Sequence, residues 1–203
     1  FSVAGYLTVI PALMILAGIW VRHRWLDTAL KAYFAVTAIL LASIALLDLD
    51  LYGYWGFRLD MTPLFYFSTS PSAAFASATA HQIFIGVIAV AAIAYGIYPA
   101  FSRTVCRIHP VTYRRVTATV VLTLLTASLF IPIRGGVTVS TMNLSRAYFS
   151  QKKILNHAAI NPAFSLLYSA THQNDYAKRY RFMTDEEAAA AMVSLAEFAT
   201  SPI

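Results

Sequence analysis

The sequence has few of the residues that several common functions require. It contains one cysteine, Cys106, in 203 residues, which excludes an intrachain disulfide and a zinc cluster of several thiolates. Its place among arginines in a short loop indicates a reduced thiol. Charged residues make up only 12% of the chain, against about 25% in an average soluble domain. The composition is therefore that of a membrane protein.

Four long apolar runs contain no Asp, Glu, Lys, Arg or His. They cover residues 3–20, 32–47, 83–101 and 116–133. Pumps and ion-coupled carriers usually keep an ionisable group at membrane depth, so this absence disfavours transport. A bilayer core of about 30 Å needs about 20 helical residues, which the runs reach with their interfacial flanks. We predict an all-α polytopic transmembrane helix bundle over residues 1–133.

Charge alternates between the gaps that separate the runs. The first and third gaps are basic and the middle gap, 48–82, is acidic. The charged residues are Arg22, Arg24, Asp27 and Lys31 in the first gap, Asp48, Asp50, Arg58 and Asp60 in the second, and Arg103, Arg107, Arg114 and Arg115 in the third. The positive-inside rule makes both basic gaps cytoplasmic and 48–82 an external loop. The net charge of +6 is thus explained by topology, and we expect no nucleic acid as a partner.

This topology places Phe1 and residues 134–203 on the external side of a bacterial inner (cytoplasmic) membrane. A chain that starts outside without a signal peptide indicates a further helix upstream, so we expect five spans in the parent protein. We assign 134–203 to an external linker with short helices. Asn161-Pro162 is predicted to start a helix on the membrane surface, residues 143–150 to be extended, and the Thr184–Glu187 capping box to open a docking helix to about Ala199.

The external loop combines aromatic and charged residues. Tyr52, Trp55 and their aromatic neighbours suit an interfacial anchor belt, which needs no ligand. Such a belt does not explain Asp48, Asp50, Arg58 and Asp60. Charges near a low-dielectric boundary are usually paired, so we predict an ion pair between an aspartate and Arg58. A polar site for a lipid headgroup or a cation is the alternative.

Arg134, Gly135 and Gly136 follow the fourth run. Two glycines can turn backbone N–H groups toward an anion, and an adjacent guanidinium can hold phosphate. Alternatively, Arg134 snorkels to the interface and the glycines end the helix. We hypothesise that Arg58, Asp60 and this triplet hold an anionic headgroup among the membrane lipids.

Two further interpretations, a lipid phosphatase motif and a metal site, have weak support in the sequence. Ser102-Arg103 with His109 has the spacing of a lipid phosphatase motif, but Tyr113 stands where that motif needs an aspartate. His81, His157 and His172 are scattered and show no spacing that brings two onto one helix face, so no metal site is predicted.

Several strings of the chain resemble one family. They are Trp55–Asp60 (WGFRLD), Thr62–Tyr66 (TPLFY), Arg134–Gly136, Ala147–Ser150 (AYFS) and Leu155–Pro162 (LNHAAINP). Together they resemble the membrane domain of lipoteichoic acid synthase-type proteins of the sulfatase and alkaline phosphatase superfamily.

The resemblance implies a C-terminal catalytic domain that follows the linker. That domain would use a divalent metal (Mn, Mg or Zn) and a Thr or Ser nucleophile to transfer phosphoglycerol or a related group, or to hydrolyse phosphate or sulfate esters. No catalytic residue, metal ligand or cofactor of the family falls within residues 1–203. The chain would then anchor the enzyme and present its lipid-linked substrate. The alternative is a structural or partner-binding membrane module without a ligand.

Overall fold

The apolar runs form helices in the computed structural model, which describes residues 2–21, 24–72, 79–105 and 114–172 and six positions between 184 and 192. The helices are α1 (Ser2–Trp20), α2 (Arg24–Trp55), α3 (Thr62–Thr69), α4 (Ala80–Val105), α5 (Arg115–Ser128), α6 (Phe130–Arg134), α7 (Lys153–Ala159) and α8 (Pro162–Thr171). A 3-10 turn covers Leu144–Ala147. The described residues contain no strand, so the all-helical prediction is confirmed for them.

Within the described residues, four segments are long and apolar enough to cross a membrane, which indicates a membrane protein. They are Ser2–Trp20, Trp25–Trp55, Ala80–Arg103 and Arg115–Arg134, the last made of α5 and α6 together. Each contains one of the four predicted runs. The second is much longer than its run, because α2 begins at Arg24 and continues to Trp55. Residues 48–55, which we assigned to a loop, are therefore helical.

The four spans pack as a row in the order α4, α2, α1, α5. α2 makes its most extensive contact with α4, whereas α5 and α6 pack against α1. Small side chains line the seam between α2 and α4, where Ala38, Ala42 and Ala94 are buried. Beside them Phe34 stacks on Phe101 with ring centroids 5.2 Å apart. Small residues allow close helix approach in lipid, where packing replaces the hydrophobic effect as the driving force.

Close packing also joins α1 to α6. A Cβ atom added at Gly5 would lie 2.9 Å from Ile133 Cγ1 and 3.2 Å from the Ile133 backbone nitrogen. Only glycine allows this approach. At the opposite end of α1, Trp20 Nε1 donates a hydrogen bond to Thr119 Oγ1 at 2.9 Å. The two ends of the fourth span are thus held against α1.

The chain divides into two units, residues 1–171 and 172–203. In the second unit Thr184 and Glu187 form the predicted capping box: Thr184 N donates to Glu187 Oε2 at 2.8 Å, and Glu187 N donates to Thr184 Oγ1 at 3.3 Å. Most of the predicted docking helix, Cys106, Arg22, Arg107 and His109 lie outside the described residues.

Candidate functional site

The end of α2 extends well past the length that a bilayer requires. Its 31-residue membrane segment is about 46 Å long at 1.5 Å per residue, against a hydrocarbon core of about 30 Å. After Trp55 the chain reverses at Gly56, whose φ of +66° favours glycine. The return brings Leu59 N within 2.8 Å of Asp48 Oδ1. Residue 59 therefore lies beside residue 48, about two helical turns below the end of α2.

Arg58 forms a salt bridge with Asp48 in this reversal. Arg58 Nη1 donates to Asp48 Oδ2, and the Asp48 side chain is only 1% exposed. Arg58 Nη2 donates to the Ile160 carbonyl oxygen at 2.8 Å. The predicted ion pair between an aspartate and Arg58 is confirmed, with Asp48 as the partner. A buried carboxylate needs this partner because an unpaired charge in a low-dielectric site is costly.

Tyr52 and His157 extend the pair into a cluster. Tyr52 OH and His157 Nδ1 share a hydrogen bond of 3.2 Å, and the Arg58 guanidinium carbon lies 5.9 Å from the Tyr52 ring centroid. Burial lowers the pKa of His157, and the positive charges of Lys153 and Arg58 lower it further. We call Asp48, Tyr52, Arg58, His157 and the Ile160 carbonyl the Arg58 cluster. It joins the end of α2 to α7 and the residue that follows α7.

Hydrogen bonds within the linker stabilise the segment that contributes His157 and Ile160 to this cluster. Asn156 is buried; its Oδ1 accepts from Phe149 N at 2.9 Å and Ser150 N at 2.8 Å, while its Nδ2 donates to Ser150 O at 2.7 Å. Asn161 Oδ1 accepts from Ala163 N at 2.9 Å, so the predicted cap of α8 is confirmed. Residues 143–150, which we expected to be extended, include the 3-10 turn because Asn143 Oδ1 accepts from Arg146 N.

Sequence reasoning missed the roles of His157 and Asn156. Both lie in α7 and are buried. The available signal was a pair of adjacent polar residues flanked by apolar side chains at positions 154–155 and 158–160. Their partners are distant in sequence or are backbone groups, so spacing did not reveal them.

The triplet at the end of α6 has a different arrangement from the one we hypothesised. Gly135 N and Gly136 N both donate to the Ile131 carbonyl, at 3.0 and 2.9 Å. These N–H groups end the helix and are not free to bind an anion. Arg134 Nη2 donates to Val139 O at 3.4 Å. The hydrogen bonds of Arg134 and those of the Arg58 cluster go to different partners, and a headgroup site shared by Arg58 and Arg134 stays a hypothesis.

The remaining candidate residues have local roles. Asp60 Oδ1 accepts from Thr62 N at 2.9 Å, at the start of α3. Asp50 is exposed on α2. Trp55 stacks on Phe57 with centroids 5.4 Å apart. Within the described ranges no three His, Cys, Asp or Glu side chains are grouped so that they could hold a metal ion.

No family model, curated protein or solved structure matches this chain.

Proposed function

We propose that this chain is the membrane domain of a cell-envelope enzyme of the lipoteichoic acid synthase type. In this proposal it resides in a bacterial inner membrane with residues 134–203 on the external side. It anchors a metal-dependent catalytic domain that follows the linker, and it keeps that domain beside a lipid-linked substrate. The enzyme would transfer phosphoglycerol or another phosphoryl group, or hydrolyse phosphate or sulfate esters.

The observation that supports this proposal is the attachment of the linker to α2. Arg58 binds the carbonyl of Ile160, and Tyr52 binds His157, across more than 100 residues of sequence. In addition, Met61 N donates to Ser169 Oγ at 3.2 Å, and α8 packs against α2 and α1. A linker fixed at several points limits the orientations available to whatever follows it. Such restriction suits a domain that must meet a substrate held in the membrane.

The charge of the linker supports an anionic lipid as the neighbouring ligand. No Asp or Glu occurs between Asp60 and Asp175, whereas Arg134, Arg146, Lys152 and Lys153 lie in residues 134–172. These side chains give the segment a net positive charge next to the membrane, which attracts anionic headgroups. Because Arg58 is paired with Asp48 and the glycine N–H groups are used, we restrict the headgroup hypothesis to Arg134 and the neighbouring basic side chains.

The proposed enzyme can be tested on the full-length protein in phosphatidylglycerol vesicles. Transfer of the phosphoglycerol headgroup from phosphatidylglycerol to an acceptor leaves diacylglycerol. We therefore expect diacylglycerol to form in a metal-dependent reaction. A chelator should abolish its formation, and Mn²⁺ should restore it. Arg58→Ala should reduce this activity, whereas Asp50→Ala, a change at an exposed site on the same helix, should not. A stop codon soon after Ile203 would contradict the enzyme and favour a structural membrane module.

The proposed orientation has its own test. In a Cys106→Ser background, Gln151→Cys should react with an impermeant thiol reagent in intact cells. In the protein without substitutions, Cys106 should react with the reagent only after the membrane is permeabilised. The opposite pattern would place the linker in the cytoplasm and reject an external catalytic domain.

A further inference from the structure

The short helix α3 carries an uncharged apolar surface that the described protein leaves uncovered. Residues 61–72 contain no charged side chain. Leu64, Phe65, Tyr66 and Phe67 are 48%, 56%, 54% and 41% exposed. Single exposed apolar residues are common on soluble proteins, but four consecutive ones on a helix mark an interaction surface.

The salt bridge at Asp48 determines the depth at which α3 starts. Residues 32–47 of α2 carry no charged side chain, and Asp48 is the first charged residue after them. Because charged groups are disfavoured within the hydrocarbon core, its boundary on this side lies close to Asp48. Since Leu59 N binds Asp48 Oδ1, the chain has returned from the end of α2 to this boundary just before α3 begins at Thr62.

The chain enters the membrane again shortly after α3. The next span starts at Ala80, and Thr79 and Gln82 form a reciprocal cap at its start: Thr79 N donates to Gln82 Oε1 at 2.9 Å, and Gln82 N donates to Thr79 Oγ1 at 3.4 Å. Ile83 and Phe84, one turn into α4, are exposed. α3 is thus connected at both ends to points near the same membrane boundary.

Several polar groups at the ends of α3 form hydrogen bonds within the chain. Thr62 N donates to Asp60 Oδ1, and the hydroxyl groups of Ser68 and Thr69 donate to Phe65 O at 2.8 and 2.9 Å. Ser70 N donates to Tyr66 O at 2.8 Å. A helix end that supplies its own hydrogen bonds can lie where water is scarce.

We propose that α3 lies in the headgroup region of the bilayer leaflet on the linker side, with Phe65, Tyr66 and Phe67 in contact with lipid. Aromatic rings favour this depth. The absence of charge in residues 61–72 favours lipid over a charged protein surface. Through the bond from Met61 N to Ser169 Oγ, α3 would also hold α8 near the membrane. This proposal does not depend on a catalytic domain.

Nitroxide accessibility can test the location of α3 in lipid vesicles. In the Cys106→Ser background, spin labels are attached at Phe65→Cys and, separately, at Leu64→Cys. Leu124→Cys, at a 65% exposed position of α5, supplies the reference inside the bilayer, and free label in buffer supplies the reference in water. Oxygen concentrates in the bilayer, whereas a nickel chelate stays in water.

We expect the ratio of oxygen accessibility to nickel-chelate accessibility at both α3 labels to lie between the ratio of the Leu124 label and that of the free label in buffer. Accessibility equal to that of the free label would show that α3 lies in water and would overturn the proposal. Low accessibility to both reagents would show that protein covers α3, either a second copy or a partner, and would also overturn it. Monodisperse protein with the helix content of the unlabelled protein confirms that each variant is folded.

Discussion

The arginine-bearing turns at the ends of the second and fourth spans are alike in sequence but differ in structure. Each places an arginine close to a glycine with positive φ, Gly56 in one and Gly135 in the other. Arg58 is 16% exposed and is paired with a buried carboxylate. Arg134 has a 3.4 Å bond to a carbonyl five residues away. The first turn joins distant parts of the chain, whereas the second closes on itself.

The difference follows from the availability of an acid. Asp48 lies ten residues before Arg58, on the helix that the reversed chain returns along. No acid lies near Arg134 in the sequence, since Asp60 is followed next by Asp175. An arginine with an internal anion becomes a structural element, while one without an internal anion can interact with an external one. The sequence hypothesis treated the two arginines as one site, and the structure gives them different hydrogen-bond partners.

Removal of the two arginine side chains should give the largest contrast. Arg58→Ala leaves Asp48 buried without its cationic partner, which should lower the free energy of unfolding by about 3 to 5 kcal/mol. Arg134→Ala removes a side chain that makes one weak hydrogen bond, so a loss below about 1 kcal/mol is expected. Chemical unfolding in detergent measures both. Equal losses of stability would show that the two arginines contribute equally to the folded state, which contradicts the proposed difference between the turns.

Alanine at Gly56 and alanine at Gly135, two glycines with positive φ, should separate backbone strain from crowding. Gly56→Ala adds a Cβ atom in open space, so only the left-handed conformation is penalised, by about 1 to 2 kcal/mol. Gly135→Ala adds a Cβ atom 2.7 Å from Met142 Cβ, which should raise the loss by a further 1 to 3 kcal/mol, roughly. The same unfolding measurement applies. A larger loss of stability in Gly56→Ala than in Gly135→Ala would contradict the packing of Met142 against Gly135.

Acidification should weaken the Arg58 cluster and leave the Arg134 turn unchanged. The pKa of His157 is lowered in the folded protein, mainly by burial, so the unfolded state takes up the proton first as pH falls. Stability is then complete above the unfolded value of about 6.5 and declines as pH falls from there toward the folded pKa.

A pH series of unfolding midpoints measures this decline. His157→Asn should flatten it between about pH 7 and pH 5, because the titrating group is absent. His81→Asn, at an exposed histidine at the start of α4, serves as the control and should keep the parent slope. An unchanged slope in His157→Asn would show that protonation of this residue does not affect the cluster.

The smallest effect is expected for lipid preference at the Arg134 turn. In nanodiscs the protein should retain phosphatidylglycerol over a zwitterionic lipid, and Arg134→Gln should reduce this preference by up to about fivefold, the value of one exposed ion pair of about 1 kcal/mol. Arg58→Lys, which keeps the charge beside Asp48, should not change it. Equal retention of both lipids by the parent protein would leave Arg134 with a purely interfacial role.

The amino-acid sequence by itself determined the features that depend on neighbouring residues. The four spans follow from runs of apolar residues, because hydropathy sums over a contiguous segment. The cap at Asn161 and the capping box at Thr184 and Glu187 follow from short spacings within one helical turn. The pairing of Arg58 with an aspartate was also predictable, because a few candidate charges lay within one short segment beside the membrane.

Only the tertiary structure decided which distant groups meet. Three aspartates were available to Arg58, and Asp48 was selected because α2 continues to Trp55 and the chain then returns along it. Tyr52 meets His157 across 105 residues because the linker folds back over α2 after the fourth span. The glycine N–H groups at 135 and 136 turn to Ile131 because the end of α6 requires donors for its carbonyls. Such contacts depend on how helices pack, and sequence spacing does not encode this packing directly.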